Sequence, residues 1–142
     1  MSNSVYPCLW FDTQAHEAAE FYCGIFPNSR IINKTPLVAV YELNGTRFMN
    51  LNGAVGNNFS EATSFVISCD TQQEIDHYWS KLTEGGKEGK CGWLIDKYGV
   101  SWQVVPKILG SLMSDPDKAP KAMYAFMQMK KLIIADLEKA TT

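Results

Sequence analysis

The chain has no excess of positive charge, no long apolar run, no paired-cysteine motif and no glycine-rich turn between a strand and a helix. Lys and Arg number 13 against 15 Asp and Glu, giving a formal charge of −2 and a pI near 5.6. No basic cluster outweighs its acidic neighbours, which argues against a nucleic-acid partner. No apolar stretch approaches the ~20 residues needed to span a bilayer, and no charged leader runs into an apolar one. The expectation is no membrane partner and a cytoplasmic location. Cys8, Cys23, Cys69 and Cys91 show neither CxxC spacing nor an accompanying His pair. Nothing signals secretion, so reduced thiols are expected rather than disulfides. What remains, 142 residues at 46% hydrophobic and 20% charged, suits one domain or two very small modules sharing a core.

What the chain does have is a repeated phrase. Asp12-Thr13-Gln14 follows the apolar run Val5 to Phe11, and Asp70-Thr71-Gln72 follows Ser64 to Cys69. Each tripeptide opens an amphipathic stretch with an acid-x-Tyr pattern, Glu20-Phe21-Tyr22 and Asp76-His77-Tyr78. Such self-similarity predicts two copies of one supersecondary unit, paired into a compact body with a pocket between them.

In the first copy, Val5 to Phe11 reads as a strand. Thr13 to Phe26 reads as a helix, capped by Asp12 or Thr13. Arg30 to Thr35, Leu37 to Leu43 and Thr46 to Asn52 follow as strands, the last two joined by the hairpin signal Asn44-Gly45. A Gly, Asn and Ser-rich linker over Gly53 to Ala62 leads to the second copy. There Thr71 to Glu74 forms a capping box and Gly85-Gly86 ends the helix near Glu84. Lys87 to Lys90 supplies a short strand, and Trp93 to Asp96 pairs with Val100 to Val105 about Lys97-Tyr98-Gly99. Module 1 thus spans about 5–52, module 2 about 64–106 and a helical tail 107–142. In the tail, Ile108 to Met113 reads as a short helix and Pro120 to about Lys139 as one long helix. The tail's apolar residues exceed what one helix normally buries, so a homodimer is expected.

Strand alternation gives candidate site residues. Phe48, Asn50 and Asn52 share one face of their strand, with Met49 and Leu51 on the other. Ser64, Val66 and Ser68 oppose Phe65, Ile67 and Cys69, and Ser101, Gln103 and Val105 oppose Val100, Trp102 and Val104. The mixed polar and apolar faces suit a ligand cavity, while the apolar faces suit packing beneath helices. Asn50, Ser64, Ser68 and Gln103 are therefore expected to line one cleft with Leu9, Phe11 and Phe48, and Leu51, Ile67 and Trp102 to face the helices. On this reading Asn50→Ala and Gln103→Ala would weaken a ligand yet leave the melting temperature nearly unchanged. The plain alternative is that Asn50 and Gln103 bond to neighbouring backbone or water. His16 and His77 fall on helix surfaces, and Trp10, Trp93 and Trp102 are expected in the core. Cys91, before Gly92 near the rim, is the one thiol worth testing.

Pro7-Cys8-Leu9-Trp10-Phe11-Asp12, Phe21-Tyr22-x-x-Ile25-Phe26-Pro27-Asn28-Ser29, Leu51-Asn52-Gly53 and Cys91-Gly92-Trp93-Leu94 carry a family resemblance. So do Tyr98-Gly99-Val100-Ser101-Trp102-Gln103-Val104-Val105-Pro106 and, in the tail, Met129-Lys130-Lys131-Leu132. Together they resemble the vicinal-oxygen-chelate superfamily of glyoxalase I, bleomycin-resistance proteins and extradiol dioxygenases. Within it the match is to the PhnB-like branch, labelled 3-demethylubiquinone-9 3-methyltransferase domain. The resemblance implies an α+β fold of two βαβββ modules, with curved mixed sheets around a cleft and C-terminal helices. It also implies metal-ligand positions at about Pro7, Asn50, Ser64 and Gln103, which here offer no ligand atom, two neutral amides and a hydroxyl. Zinc, nickel and iron favour imidazole, thiolate or carboxylate, so no metal and no cofactor are expected. Methyltransfer is disfavoured, because nucleotide-type methyl donors sit on a glycine-rich strand-to-helix turn. The expected function is to hold a small organic molecule in a metal-free cleft, as a binding protein or with an uncharacterised activity. A metal-dependent glyoxalase or dioxygenase-like enzyme is the alternative.

Overall fold

In a computed structural model, which describes residues 3–142, the order strand, helix and three strands occurs twice. The chain divides into two compact units, Met1–Asn58 and Phe59–Thr142. The first holds β1 (Cys8–Trp10), α1 (Ala15–Ile25), β2 (Ser29–Lys34), β3 (Val38–Leu43) and β4 (Thr46–Leu51). The second holds β5 (Ser64–Cys69), α2 (Gln72–Thr83), β6 (Lys87–Glu88), β7 (Trp93–Ile95) and β8 (Ser101–Pro106). It continues into α3 (Ile108–Ser114), α4 (Ala119–Met127) and α5 (Ile134–Ala140). The sheets run β1-β4-β3-β2 and β5-β8-β7-β6, so the two topologies are the same, each with one parallel pair and otherwise antiparallel neighbours. The fold is α+β, as the family resemblance implies, and its two like units are those that the duplicated phrases predict.

Helix starts differ between the copies. α2 begins with a capping box: Thr71 Oγ1 accepts from the Glu74 N–H at 3.2 Å, and Glu74 Oε2 accepts from the Asp70 N–H at 3.1 Å. α1 has no side-chain cap from its own segment, contrary to the expected Asp12 or Thr13, and starts two residues later than predicted. β4 and the residue that follows it supply the bonds instead. The Ala15 N–H donates to Asn52 Oδ1 at 2.8 Å, and Asn50 Nδ2 donates to the Ala15 carbonyl at 3.0 Å. Two asparagines two apart in sequence thus bond the N–H and the carbonyl of one helix residue.

Asn44 (φ 49) and Gly45 (φ 88) make the hairpin between β3 and β4, as their tolerance of positive φ predicts. In the second unit the β7–β8 connection is built on Asp96, which is 2% exposed. Its carboxylate accepts from the N–H groups of Tyr98 and Val100 at 2.9 and 3.1 Å and from Trp102 Nε1 at 2.9 Å.

The tail departs from the sequence reading. The single helix expected from Pro120 to Lys139 is two, α4 and α5, separated by residues 128–133. The Met129 and Lys130 carbonyls accept from the Cys91 and Gly92 N–H groups, both at 2.8 Å. Gln72 brackets the next residues, its Nε2 donating to the Leu132 carbonyl at 3.1 Å and its Oε1 accepting from the Ile134 N–H at 2.8 Å. These long-range bonds satisfy backbone groups that a continuous helix would have paired internally, and so override local propensity. Gly92 (φ 83) is required there, since a Cβ would lie 2.9 Å from the Val104 carbonyl oxygen and 3.1 Å from Leu132.

Candidate functional site

Cross-strand pairing sets out the face of the second sheet turned away from α2. Ser64, Ser101, Ile95 and Lys87 form one row across the strands, and Val66, Gln103 and Trp93 form the next. Residues in one row point to the same side. Gln103 Nε2 donates to Ser64 Oγ at 3.0 Å, while its carbonyl oxygen has no partner among the described residues. Ser68 lies exposed on the same face, opposite Val105. Ser101 is 1% exposed and its hydroxyl is unpaired among the described residues. A buried hydroxyl left so costs about 1–3 kcal/mol, and such an orphan is where a water or ligand atom belongs.

Beside this polar group is a cavity of about 560 Å³, within the range of small-molecule sites. It is lined by Trp93 and Ile95 of the same face, by Lys87, Lys90 and Cys91, and by Glu61 from the segment before β5. Glu88 contributes from β6, but its side chain turns to the helix side, where Trp79 Nε1 donates to Glu88 Oε1 at 2.7 Å. Cys91 adopts φ 60, a left-handed conformation that an L residue holds only when its surroundings fix it. The bonds from the 128–133 segment supply that fixation. Burial raises the thiols of Cys8 and Cys23 and, with Glu74 and Asp70 adding to it, pushes Cys69 up to about 12.

The predicted site residues divide by unit. Ser64, Ser68 and Gln103 share the face described above, and Ile67 and Trp102 face α2 as expected. In the first unit the assignment of faces is corrected. Leu9, Phe11, Phe48 and Asn50 are all buried, and Asn50, 0% exposed, bonds to α1 through the Ala15 carbonyl. Asn50 Oδ1 also accepts from the Tyr41 hydroxyl at 2.8 Å, and the Tyr41 and Phe48 rings stack. Met49 and Leu51, expected beneath the helix, lie on the opposite face with Cys8 and Trp10. The inversion has a plain cause: a buried Asn with every polar atom bonded is as stable beneath a helix as an apolar residue. Trp10 is likewise 47% exposed rather than core. Sequence reasoning missed Lys87, Trp93 and Ile95 as cavity residues. The alternation of Trp93, Leu94 and Ile95 was the signal available.

The family resemblance of the sequence implies a divalent metal, and the donors here do not fit one. Pro7 has no side-chain donor, both polar atoms of Asn50 are committed within the first unit, and Ser64 and Gln103 bond to each other. No group of three or more His, Cys, Asp or Glu able to hold a metal occurs among the described residues.

Residues 3–105 match the family model described as 3-demethylubiquinone-9 3-methyltransferase, a span that ends before α3 and leaves the tail outside it. Among solved structures, a Bacillus cereus protein described as a putative 3-demethylubiquinone-9 3-methyltransferase, PhnB protein, is 32% identical. That match covers 73% of this chain and 99% of the other at a TM-score of 0.67. A Pseudomonas aeruginosa protein is 18% identical over 74% of this chain and 98% of its own, with a TM-score of 0.62. The fosfomycin resistance protein FosX of Listeria monocytogenes, solved with Mn(II) and sulfate, shares the fold at 12% identity and a TM-score of 0.56, over 73% of this chain and 89% of its own. Comparison with curated proteins gives no match. The chain belongs to the 3-demethylubiquinone-9 3-methyltransferase family.

Proposed function

We propose that the protein holds a small organic molecule, without a metal, on the face of its second sheet turned away from α2. Ser64, Ser68 and Gln103 orient the molecule, and Trp93 and Ile95 supply apolar area. The observation that carries this reading is Gln103, whose amide nitrogen is fixed by Ser64 while its carbonyl oxygen stays available beside Trp93 and the cavity. A neutral acceptor so placed selects a ligand hydrogen-bond donor and has little power over a metal cation. Methyltransfer finds no support in the turns: β1 reaches α1 through Phe11 to Gln14 and β5 reaches α2 through Asp70 and Thr71, both without glycine. Gln103→Ala and Ser64→Ala should weaken any compound found by screening while the melting temperature stays within about 3 °C of the parent's. Unchanged affinity in both variants would refute the site.

The protein is further proposed to act as a cytoplasmic homodimer. All four cysteines are free, which suits a reducing compartment. On α4, Met123, Tyr124 and Met127 are 42%, 72% and 56% exposed, an apolar group suited to cover by a second copy. Light scattering at micromolar concentration should give twice the chain mass; a monomer would contradict it.

A further inference from the structure

We propose that the cavity of the second unit selects anionic molecules with a flat apolar body, an aryl carboxylate being the simplest, and that Lys87 and Lys90 make the selection. The inference rests on the reading that this face holds a small molecule, and adds the charge of that molecule. Its basis is the division of charged groups between the two sides of a short edge strand. β6 is only Lys87 and Glu88, so its two side chains must point to opposite faces. Lys87 pairs with Ile95 and so lies on the cavity side; Glu88 pairs with Leu94 and is held on the α2 side by Trp79. The strand therefore presents its cation to the cavity and turns its anion away.

Lys90, Glu61 and Glu88 complete the charged lining, two ammonium groups and two carboxylates, of which the Glu88 carboxylate is bonded to Trp79. Ion pairing does not cancel them. The four ion pairs among the described residues are Arg30–Glu42, Lys34–Glu20, Lys107–Asp70 and Lys131–Asp76, and none uses Lys87, Lys90 or Glu61. The lining charges balance in number, so the asymmetry lies in placement: Lys87 is on the cavity side of β6, while Glu88 is turned to Trp79 on the α2 side. Trp93 and Ile95 form an apolar surface in the same cavity, which a planar body can cover while its anionic end reaches the lysines. A carboxylate in that position would give up part of its hydration for attraction to two exposed ammonium groups, which salt screens, so its binding should weaken as salt rises.

Three probes of one shape and different charge, all with a hydroxyl as the donor that Gln103 selects, test this: 6-hydroxynaphthalene-2-carboxylate, 6-hydroxynaphthalene-2-carboxamide and 6-(aminomethyl)naphthalen-2-ol, each titrated into 15N-labelled full-length protein. The carboxylate should shift the amides of residues 87–95 at the lowest concentration. The double variant Lys87→Gln/Lys90→Gln should weaken it about tenfold or more and leave the carboxamide unchanged. Both lysines are exposed, so the variant should fold; each single change provides a second route. Equal binding of carboxylate and carboxamide, a preference for the amine, or indifference of the carboxylate to the double variant would overturn the charge selection while leaving the ligand site standing. Absence of shifts with all three probes at millimolar concentration would overturn both.

Discussion

Replacing Asn50 with alanine should lower the melting temperature by about 9–15 °C, even though the residue contributes no apolar area. The substitution deletes two buried bonds, one accepted from the Tyr41 hydroxyl at 2.8 Å and one donated to the Ala15 carbonyl at 3.0 Å. Each contributes about 1 kcal/mol net, and polar groups left behind in the interior add about 1–3 kcal/mol. The sum is about 3–5 kcal/mol, a large part of the ~5–15 kcal/mol by which a domain of this kind is stable. At roughly 3 °C per kcal/mol this gives the stated shift, readable by circular dichroism. Because Tyr41 and Asn50 share a bond, Tyr41→Phe and Asn50→Ala should not add. Their double variant should be milder than the sum of the singles by about 1 kcal/mol or more. An Asn50→Ala protein melting within about 2 °C of the parent, with no coupling to Tyr41, would refute the clamp and return Asn50 to a solvent-facing role.

Trp102→Ala should cost about 3–5 kcal/mol through lost packing, and Trp102→Phe about 1–2 kcal/mol through the lost bond to Asp96, both measured by urea unfolding. Gln72→Ala should free the 128–133 segment, seen as faster hydrogen exchange at the Cys91 and Gly92 amides and faster alkylation of Cys91. Unchanged exchange would show that Leu132 alone anchors the segment. The bond from the Lys131 ammonium to Asp76, at 2.9 Å, with a second from Gln72, holds the Asp76 carboxyl below its ordinary range. Its stabilisation is therefore present above the ordinary carboxylate value and lost as pH falls through the lowered one, and solvent screening keeps it under about 1 kcal/mol. An NMR titration of Lys131→Met should bring Asp76 back up; no change would refute the assignment.

Duplication was legible because it lies in local signals: the Asp-Thr-Gln starts, Asn44-Gly45, the Thr71 to Glu74 capping box and Gly85 are each read from a few neighbouring residues. What failed depends on distant partners. Asn50 looked like a pocket residue because alternation reports that two faces differ and leaves open which one a helix covers. The bonds that decide it, to Tyr41 and Ala15, come from 9 and 35 positions away. The tail failed for the same reason, since the bracket from Gln72 crosses 60 positions to Leu132. In the second unit the polar faces of β5 and β8 came out as read, because Ile67, Trp102 and Val104 leave no doubt about which side is apolar. Lys87 was hidden by a strand too short for any periodicity.

The central claim is that a small molecule is held on the Ser64–Gln103 face without a metal. A fragment screen followed by amide chemical shifts, on protein as purified and after treatment with EDTA, tests it most directly. Hits should shift residues 64–68, 91–95 and 101–105 equally in both samples. Hits that map elsewhere, or that vanish with EDTA and return when zinc or manganese is added, would contradict it.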